Sequence, residues 1–194
     1  MSLRAWYPFN GNFKNYGAGN FELTQTTAPT YTPGKIANQA LATGGFKWTA
    51  EQAASIFNNK AISFAFWIKP INTASGQIFG VSDMPAPNNR RFALFAYPSG
   101  NDFHWSWQND NSGSTFTAGV VSGCFPTNVW THCCITYKNP NIILYINGVQ
   151  KSTFSGVSAC SNFAYETPVI HSSANRYIQD FRVYDHCLSP REVK

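Results

Sequence analysis

The feature that most constrains this chain is an alternation of side-chain types with a period of two. Residues 61–69 (AISFAFWIK) place Ile and Phe at the even positions and mainly Ala, Ser and Trp at the odd positions. Successive side chains of a strand point to opposite faces, so this segment predicts a central strand that is covered on both sides. Further strands are predicted at residues 91–97, 103–108, 130–137, 142–153 and 177–184.

The strongest turn signal lies within residues 142–153, where Asn147-Gly148 separates IILYI from VQKST. A type I′ turn needs two positive φ angles, which Asn and Gly adopt most easily.

Helix signals are few. A capping box at Thr49–Gln52 predicts one short turn. Ser189–Glu192 predicts a second helical turn close to Lys194, so we expect this chain to be excised from a longer polypeptide.

Together these signals predict about ten to thirteen short strands and almost no helix. Strands at this density, separated by turn residues, are typical of a sandwich of two antiparallel sheets. Residues 1–194 are expected to form one domain, because all-β domains of this length often stay undivided. The predicted fold class is therefore all-β, an antiparallel two-sheet sandwich with a short C-terminal helical turn.

Composition excludes several classes of protein. Charged residues make up 12% of the chain and aromatic residues 16%, the opposite of a disordered sequence. No apolar run approaches the roughly 20 residues of a membrane helix, so membrane insertion is not expected. The net charge of +5 is not clustered, and only Arg90 and Arg91 are adjacent basic residues. Nucleic-acid binding is not expected without a basic patch.

Five cysteines do not form a fully paired disulfide framework, because their number is odd. Cys133 and Cys134 would point to opposite faces of one strand. We expect reduced thiols that pack as small apolar side chains. The first residues have no apolar signal-peptide region, and no Asn-x-Ser/Thr glycosylation site occurs. These observations favour a protein that did not pass through a glycosylating secretory pathway.

The carboxylates give no sign of hydrolase chemistry. Glycoside hydrolysis needs two acids flanking the scissile bond, and no Glu lies two to five residues from another acid within a predicted strand. His132 adjoins Cys133, but neighbours on a strand face opposite ways, so they do not predict a catalytic pair. The four histidines form no spaced metal-binding cluster. We therefore expect no enzymatic activity.

Binding residues are expected on loops and on one strand face. Trp105 and Trp107 alternate with His104, Ser106 and Gln108, and the tryptophans are expected to face the core. If the other face lies on a concave sheet, its polar side chains become ligand candidates. The candidate ligand-binding residues are Asp83, Asn88, Asn89, Arg90, His104, Ser106, Gln108, Asn109, Asp110 and Asn111. Solvated turns are the plainer interpretation of the loop residues.

Five segments, in order, resemble one known family. They are AWYPFNGNFKNYG, PGKIANQALATGG, AISFAFWIKP, VWTHCCITYKNPNIILYINGVQ and YIQDFRVYDHCLSPREVK. These segments resemble the laminin-G-like (LamG-like), concanavalin A-like lectin/glucanase jelly-roll domains, and the fourth segment is the most specific. The resemblance spans nearly the whole chain and implies a jelly roll of two antiparallel sheets.

The same resemblance implies a function and a metal site. Family members are mostly non-catalytic recognition modules on extracellular, cell-surface or phage tail proteins, and many bind glycans. Some carry a calcium ion where the opening and closing segments meet, which would place a structural Ca²⁺ near Asp180 and Asn15. Many relatives have Asp at the position of Asn15, so this chain lacks one formal charge that a calcium site uses.

The leading hypothesis is a non-catalytic module that recognises a carbohydrate, a cell-surface glycan or receptor, on a phage virion or bacterial surface protein. Its location would then be the virion or the cell surface. The alternative is a structural domain that assembles with copies of itself or with other virion proteins and binds no small ligand. A glycoside hydrolase ranks below both.

Overall fold

The computed structural model describes residues 2–57, 61–72, 76–82, 91–97, 102–108, 116–156, 169–172 and 175–194. The described residues form thirteen strands and one α-helix. The elements are β1 Leu3–Tyr7, β2 Thr24–Pro33, β3 Gln39–Lys47, α1 Ala50–Phe57, β4 Ala61–Pro70, β5 Gly76–Ser82, β6 Arg91–Tyr97, β7 Asp102–Gln108, β8 Phe116–Val121, β9 Thr131–Lys138, β10 Asn141–Ile146, β11 Val149–Phe154, β12 Val169–Ser172 and β13 Arg176–Tyr184. No helix in these ranges is long and apolar enough to cross a membrane.

Every strand pairing among the described residues is antiparallel, as predicted. The hydrogen-bonded order is β11-β10-β9-β4-β13-β3-β12-β5-β6-β7-β8, with β1 added on β13 and β2 added on β3. Between β13 and β3 the ladder rests on a single pair, Ile178 with Leu41. The path therefore has two well-paired halves joined at one narrow point.

The two halves lie face to face and enclose an aromatic core. Phe79 on β5 contacts Phe64 on β4 and Phe181 on β13, with ring centroids 5.1 and 5.4 Å apart. Near the two ends of the path, the ring centroids of Trp105 on β7 and Phe154 on β11 are 4.9 Å apart. Contacts between strands so distant in the ladder require two packed layers, so the predicted all-β, two-sheet jelly-roll sandwich is confirmed.

Local signals formed the expected structures. Asn147 and Gly148 have φ angles of 51° and 76° and join β10 to β11, as a type I′ turn requires. Thr49 and Gln52 form the reciprocal hydrogen bonds of a capping box. The helix that follows has eight residues, longer than the single turn predicted. In the C-terminal turn the Val193 N–H donates to the Ser189 carbonyl, as expected for one helical turn.

Alternation on the central strands creates an inner face and an outer face. On β9, Cys133 packs in the main core, whereas Cys134 packs in a smaller cluster that includes Leu188 and Val193. The predicted opposite orientation of the two cysteines is confirmed, and Cys124, Cys133, Cys134 and Cys187 are free thiols. The last ten residues therefore cover part of the outer face of the sheet.

The opening and closing segments meet, as the resemblance implied. β1 pairs with β13 from Leu3–Tyr184 to Tyr7–Phe181. Beyond the strands, the Ser2 backbone N–H and hydroxyl donate to the two carboxylate oxygens of Asp185 at 2.7 and 2.8 Å. Although burial opposes it, these bonds and His186 lower the pKa of Asp185 to about 2.

Candidate functional site

A cavity of about 570 Å³ opens on the outer face of the layer that contains β4, β9 and β13. Its lining comes from the loop before β3, these three strands, the β10–β11 turn and the C-terminal segment. The lining residues are Ile36, Ala65, Trp67, His132, Cys134, Asn147, Gly148, Val149, Asp180, Arg182, Tyr184, Leu188, Glu192, Val193 and Lys194. Its size and mixed lining suit a small ligand.

Strand register builds the floor of the cavity. Trp67 on β4 lies opposite His132 on β9, and Ala65 lies opposite Cys134. On the other side of β4, Arg182 on β13 lies opposite Ala65. Since these residues share the outer face, side chains far apart in sequence become neighbours on one surface.

Trp67 provides the aromatic surface of the floor. Its ring centroid is 5.2 Å from that of His132, and the Lys35 ammonium nitrogen lies 4.9 Å from the Trp67 ring centroid. Trp67 is half-buried, whereas Trp48 and Trp105 are 1% exposed within the core. Trp67 is thus an aromatic side chain that the sandwich does not enclose.

A buried glutamine fixes the loop that carries Lys35. Gln179 on β13 accepts hydrogen bonds from the backbone N–H groups of Lys35 and Ile36 at 2.9 and 3.1 Å. Its amide nitrogen donates to the Gln39 carbonyl at 2.6 Å. Because Gln179 is fully buried, these bonds hold the loop in place at the edge of the cavity.

A β-bulge positions the charged pair of the site. Between the pairs Gln179–Trp67 and Arg182–Ala65, β13 contains one more residue than β4, which defines a β-bulge. Asp180 lies within this bulge with a φ of 57°, a conformation that Asp and Asn tolerate better than most residues.

Both oxygens of the Asp180 carboxylate are bound by nitrogen donors. Its Oδ1 accepts from the Trp6 indole at 2.6 Å and from Arg182 Nε at 3.1 Å, while Oδ2 lies 2.9 Å from a second Arg182 nitrogen. The Arg182 guanidinium also lies over the Trp6 ring, 5.2 Å from its centroid. Burial alone would lower the pKa of Arg182, but the Asp180 carboxylate raises it.

The side of the cavity near β9 is held by the hairpin turn. Asn147 Oδ1 accepts from the His132 backbone N–H at 2.9 Å, and the Asn147 N–H donates to the His132 carbonyl at the same distance. Burial lowers the pKa of His132, so the imidazole is neutral near pH 7.

The opposite side is formed by the C-terminal segment. The Ser63 hydroxyl donates to the His186 carbonyl at 2.7 Å and accepts from the Leu188 N–H at 2.9 Å. Glu192 is fixed by Ser189, whose backbone N–H and hydroxyl both donate to one of its carboxylate oxygens. These contacts anchor the segment against the sheet.

Of the predicted ligand-binding residues, only His104 has a described side chain, and it does not line this cavity. His104 is half-buried on β7, next to the buried Trp105, which confirms the predicted core position of that tryptophan. Ser106 and Gln108 lie on the same strand, but the positions of their side chains fall outside the described part of the chain. The predicted loop residues, Asp83, Asn88, Asn89, Arg90, Asn109, Asp110 and Asn111, also lie outside the described residues.

The two residues predicted to hold calcium both contact Trp6 instead. Asn15 Oδ1 accepts from the backbone N–H groups of Trp6 and Gly17 at 2.9 Å each. Asp180 already binds the Trp6 indole and the Arg182 cation. Calcium requires several free oxygen ligands, so this donor set does not fit an ion shared by the two residues. Among the described residues no cluster of three acidic, His or Cys side chains could hold a metal.

We expect the melting temperature to be the same in excess calcium chloride and in EDTA. An ion that bound the folded state alone would raise the melting temperature with its concentration. Thermal unfolding followed by circular dichroism measures this directly. A calcium-dependent rise that EDTA reverses would show that the resemblance was the better guide to this site.

Sequence reasoning missed most of the cavity. Trp67 was noted only as part of a strand, His132 was considered only as a catalytic partner of Cys133, and Lys35 was not considered. A signal was present, because the odd positions of β4 and the even positions of β9 carry these side chains on one face. Finding the site from that signal would have required the strand register.

Known structures share this architecture. Domain 4 of AbnA, an extracellular GH43 arabinanase from Geobacillus stearothermophilus solved in complex with arabinotriose, matches with a TM-score of 0.74 at 21% identity. That match covers 98% of this chain and 96% of the other. The binding domain of botulinum neurotoxin serotype C1 also gives a TM-score of 0.74, at 12% identity and over 99% of this chain. The binding domain of botulinum neurotoxin serotype G matches with a TM-score of 0.72, at 12% identity and over 98% of this chain.

The chain spans about half the length of these toxin domains, 50% for serotype C1 and 49% for serotype G. No curated protein matches it in sequence. At such identities the structural likeness establishes the fold alone. The sequence profile of the concanavalin A-like lectin/glucanases superfamily (Laminin_G_3) matches residues 34–194, most of the chain, and the protein therefore belongs to this family.

Proposed function

We propose that this chain is a non-catalytic carbohydrate-recognition module and that the saccharide binds in the cavity over Trp67. The observation that carries the proposal is the half-buried Trp67 on the cavity floor, surrounded by polar side chains. An indole presents a flat apolar surface to the C–H groups of a sugar ring, and neighbouring donors and acceptors bind its hydroxyls. The cavity volume of about 570 Å³ would hold a sugar of one or two rings.

The chemistry of the cavity favours binding over catalysis. A glycosidase needs one carboxyl group whose pKa is raised so that it can donate a proton. The two carboxylates in the lining are Asp180, which is paired with Arg182, and Glu192, whose pKa is lowered by the hydrogen bond from the Ser189 backbone. Burial raises the pKa of Cys134 to about 12, so its thiol is not a nucleophile at neutral pH.

The biological setting is part of the same proposal. A cell-surface glycan or receptor as the ligand, and a phage virion or bacterial surface protein as the carrier, agree with the absent glycosylation sites and the free thiols. The similarity to a domain solved with arabinotriose supports a saccharide ligand in general. The structural alternative, a domain that assembles with copies of itself or with virion proteins, predicts a stable oligomer and no glycan binding.

Replacement of Trp67 by alanine tests the proposal. The stacking surface is lost, so we expect the affinity for a glycan identified on an array to fall by roughly 30-fold, as for the removal of a central aromatic anchor. The measurement is isothermal titration calorimetry, with far-ultraviolet circular dichroism to confirm the fold. Val120→Ala is the matched control, because Val120 is 52% exposed on β8 and does not line the cavity.

Two results would contradict the proposal. Equal glycan affinity in Trp67→Ala and in the unmodified protein would place the sugar elsewhere. No binding to any glycan, together with a stable oligomer in solution, would favour the structural alternative.

A further inference from the structure

We propose that the saccharide recognised by this cavity carries an anionic substituent, a carboxylate or a sulfate, and that Lys35 is the residue that determines this specificity. The inference rests on the proposed function and narrows the class of ligand. It follows from which charged groups around the cavity are already paired within the protein and which are not.

Both carboxylates of the lining already accept hydrogen bonds within the protein. Both carboxylate oxygens of Asp180 are bound to nitrogen atoms of Arg182, and one of them also accepts from Trp6. In Glu192, one oxygen accepts two hydrogen bonds from Ser189. The remaining Glu192 oxygen lies 3.8 Å from a His186 nitrogen. Each carboxylate therefore has fewer acceptor sites left for the hydroxyl groups of a ligand.

Arg182 is likewise engaged and does not provide a free cation. Its guanidinium is bound to Asp180 and lies over the Trp6 ring. Two positive groups remain: Lys194, which lines the cavity, and Lys35, which lies next to the cavity against the Trp67 ring. Within the described parts of the chain neither lysine forms an ion pair with a carboxylate.

The Lys35 ammonium is placed at the site by the fold. The backbone of its loop is bonded to the fully buried Gln179, and its charged nitrogen lies 4.9 Å from the centroid of the Trp67 ring. A sugar that occupied the cavity over Trp67 would bring its substituents close to this ammonium. Lys194 packs beside the Asn147-Gly148 turn. A Cβ atom added to Gly148 would lie 3.6 Å from the Lys194 Cγ.

The ammonium groups of Lys35 and Lys194 therefore favour a ligand that accepts hydrogen bonds and carries negative charge. An ammonium donates but cannot accept, and its strongest hydrogen bonds are formed with ionised oxygens. A neutral sugar would leave the Lys35 ammonium without an anionic partner. A uronic acid or a sulfated sugar would pair with Lys35 while its ring contacts the part of the Trp67 indole that Lys35 leaves exposed.

The experiment uses a glycan array of matched pairs: oligosaccharides of hexuronic acids and their neutral hexose counterparts, and sulfated glycans and their unsulfated forms. The unmodified protein is compared with Lys35→Met, which keeps the apolar stem, and with Lys35→Arg, which keeps the charge. The matched control is Lys138→Met, which removes an exposed lysine at the far end of β9. Affinities for array hits are then measured by calorimetry at low and high salt.

We expect the acidic member of a pair to bind at least fivefold more tightly at low salt, an advantage that high salt reduces. Lys35→Met should remove this preference, Lys35→Arg should retain most of it, and Lys138→Met should have no effect. Equal or stronger binding of the neutral members would overturn the inference and leave the carbohydrate proposal intact. Silence across both members of all pairs would instead overturn the proposed function itself.

Discussion

Replacing Phe79 by alanine is expected to lower the free energy of unfolding by about 3–5 kcal/mol, the usual cost of removing a buried phenylalanine ring. Phe79 is fully buried and joins the two layers of the sandwich. Its ring centroid lies 5.7 Å from that of Trp48 and 5.1 Å from that of Phe64. The mutation therefore leaves a cavity between the sheets. Urea denaturation measures the effect as a lower midpoint with an unchanged slope.

Val149→Ala is the control for this prediction. Val149 is 58% exposed on the hairpin, so its truncation should change the free energy of unfolding by less than about 0.5 kcal/mol. If Phe79→Ala were no more destabilising than this control, the two layers would not depend on the central ring.

Replacing Asp180 by alanine is expected to lower the free energy of unfolding by roughly 2–3 kcal/mol, because partners of a largely buried carboxylate lose their acceptor. The Trp6 indole and the Arg182 guanidinium would each lose a hydrogen bond. Alanine would also hold a φ of 57°, which it adopts less readily than Asp. The freed Arg182 should then become mobile at the cavity, so glycan affinity is expected to change as well.

Asp180→Asn separates the loss of the negative charge from the loss of the hydrogen-bond acceptor and of the backbone conformation. Asparagine tolerates the same backbone conformation and keeps one oxygen acceptor for Trp6, but it removes the charge that pairs with Arg182. We expect it to lose less stability than the alanine variant, measured by urea denaturation in parallel. Equal losses would assign the effect to the ion pair alone, and no loss in either variant would contradict a role for Asp180 in the fold.

Sequence patterns predicted the fold well because they are local and redundant. Alternation over residues 61–69 defined β4, and two residues, Asn147 and Gly148, defined the turn of a hairpin. Each strand carries this information within its own few residues, so an error in one strand would not change the fold class. The adjacent cysteines are an example: alternation alone predicted that they face opposite ways, and Cys133 lies inside the main core and Cys134 outside it.

The cavity could not be predicted in the same way, because it depends on pairings between distant residues. Trp67 meets His132 through the register of β4 and β9, and Lys35 meets Trp67 through a loop fixed by Gln179. No local pattern encodes the bulge at Asp180 that aligns Arg182 with Ala65. The family resemblance did point to Asp180, but as part of a calcium site rather than as the partner of Arg182 and Trp6.

Burial separates the aromatic residues into two roles. Most of the large rings whose side chains the structure describes, such as Trp48, Phe66 and Phe79, are buried in the core and explain the high aromatic content by packing. Trp67 lies on the opposite face of β4 from Phe66 and is left partly exposed beside charged groups. The site therefore depends on which face an aromatic residue occupies rather than on how many there are.

The position of β13 has a consequence for how the protein reaches its native state. This strand comes last in the chain, yet it lies between β4 and β3 and also pairs with β1, the first strand. Until residues 176–184 have left the ribosome, both neighbouring strands lack their partner and expose unpaired edges. Folding must then close loops between segments that are far apart in sequence, which is slow compared with local pairing. Aggregation of the unfinished chain competes during this interval, and a chaperone that shields strand edges would raise the yield of folded protein.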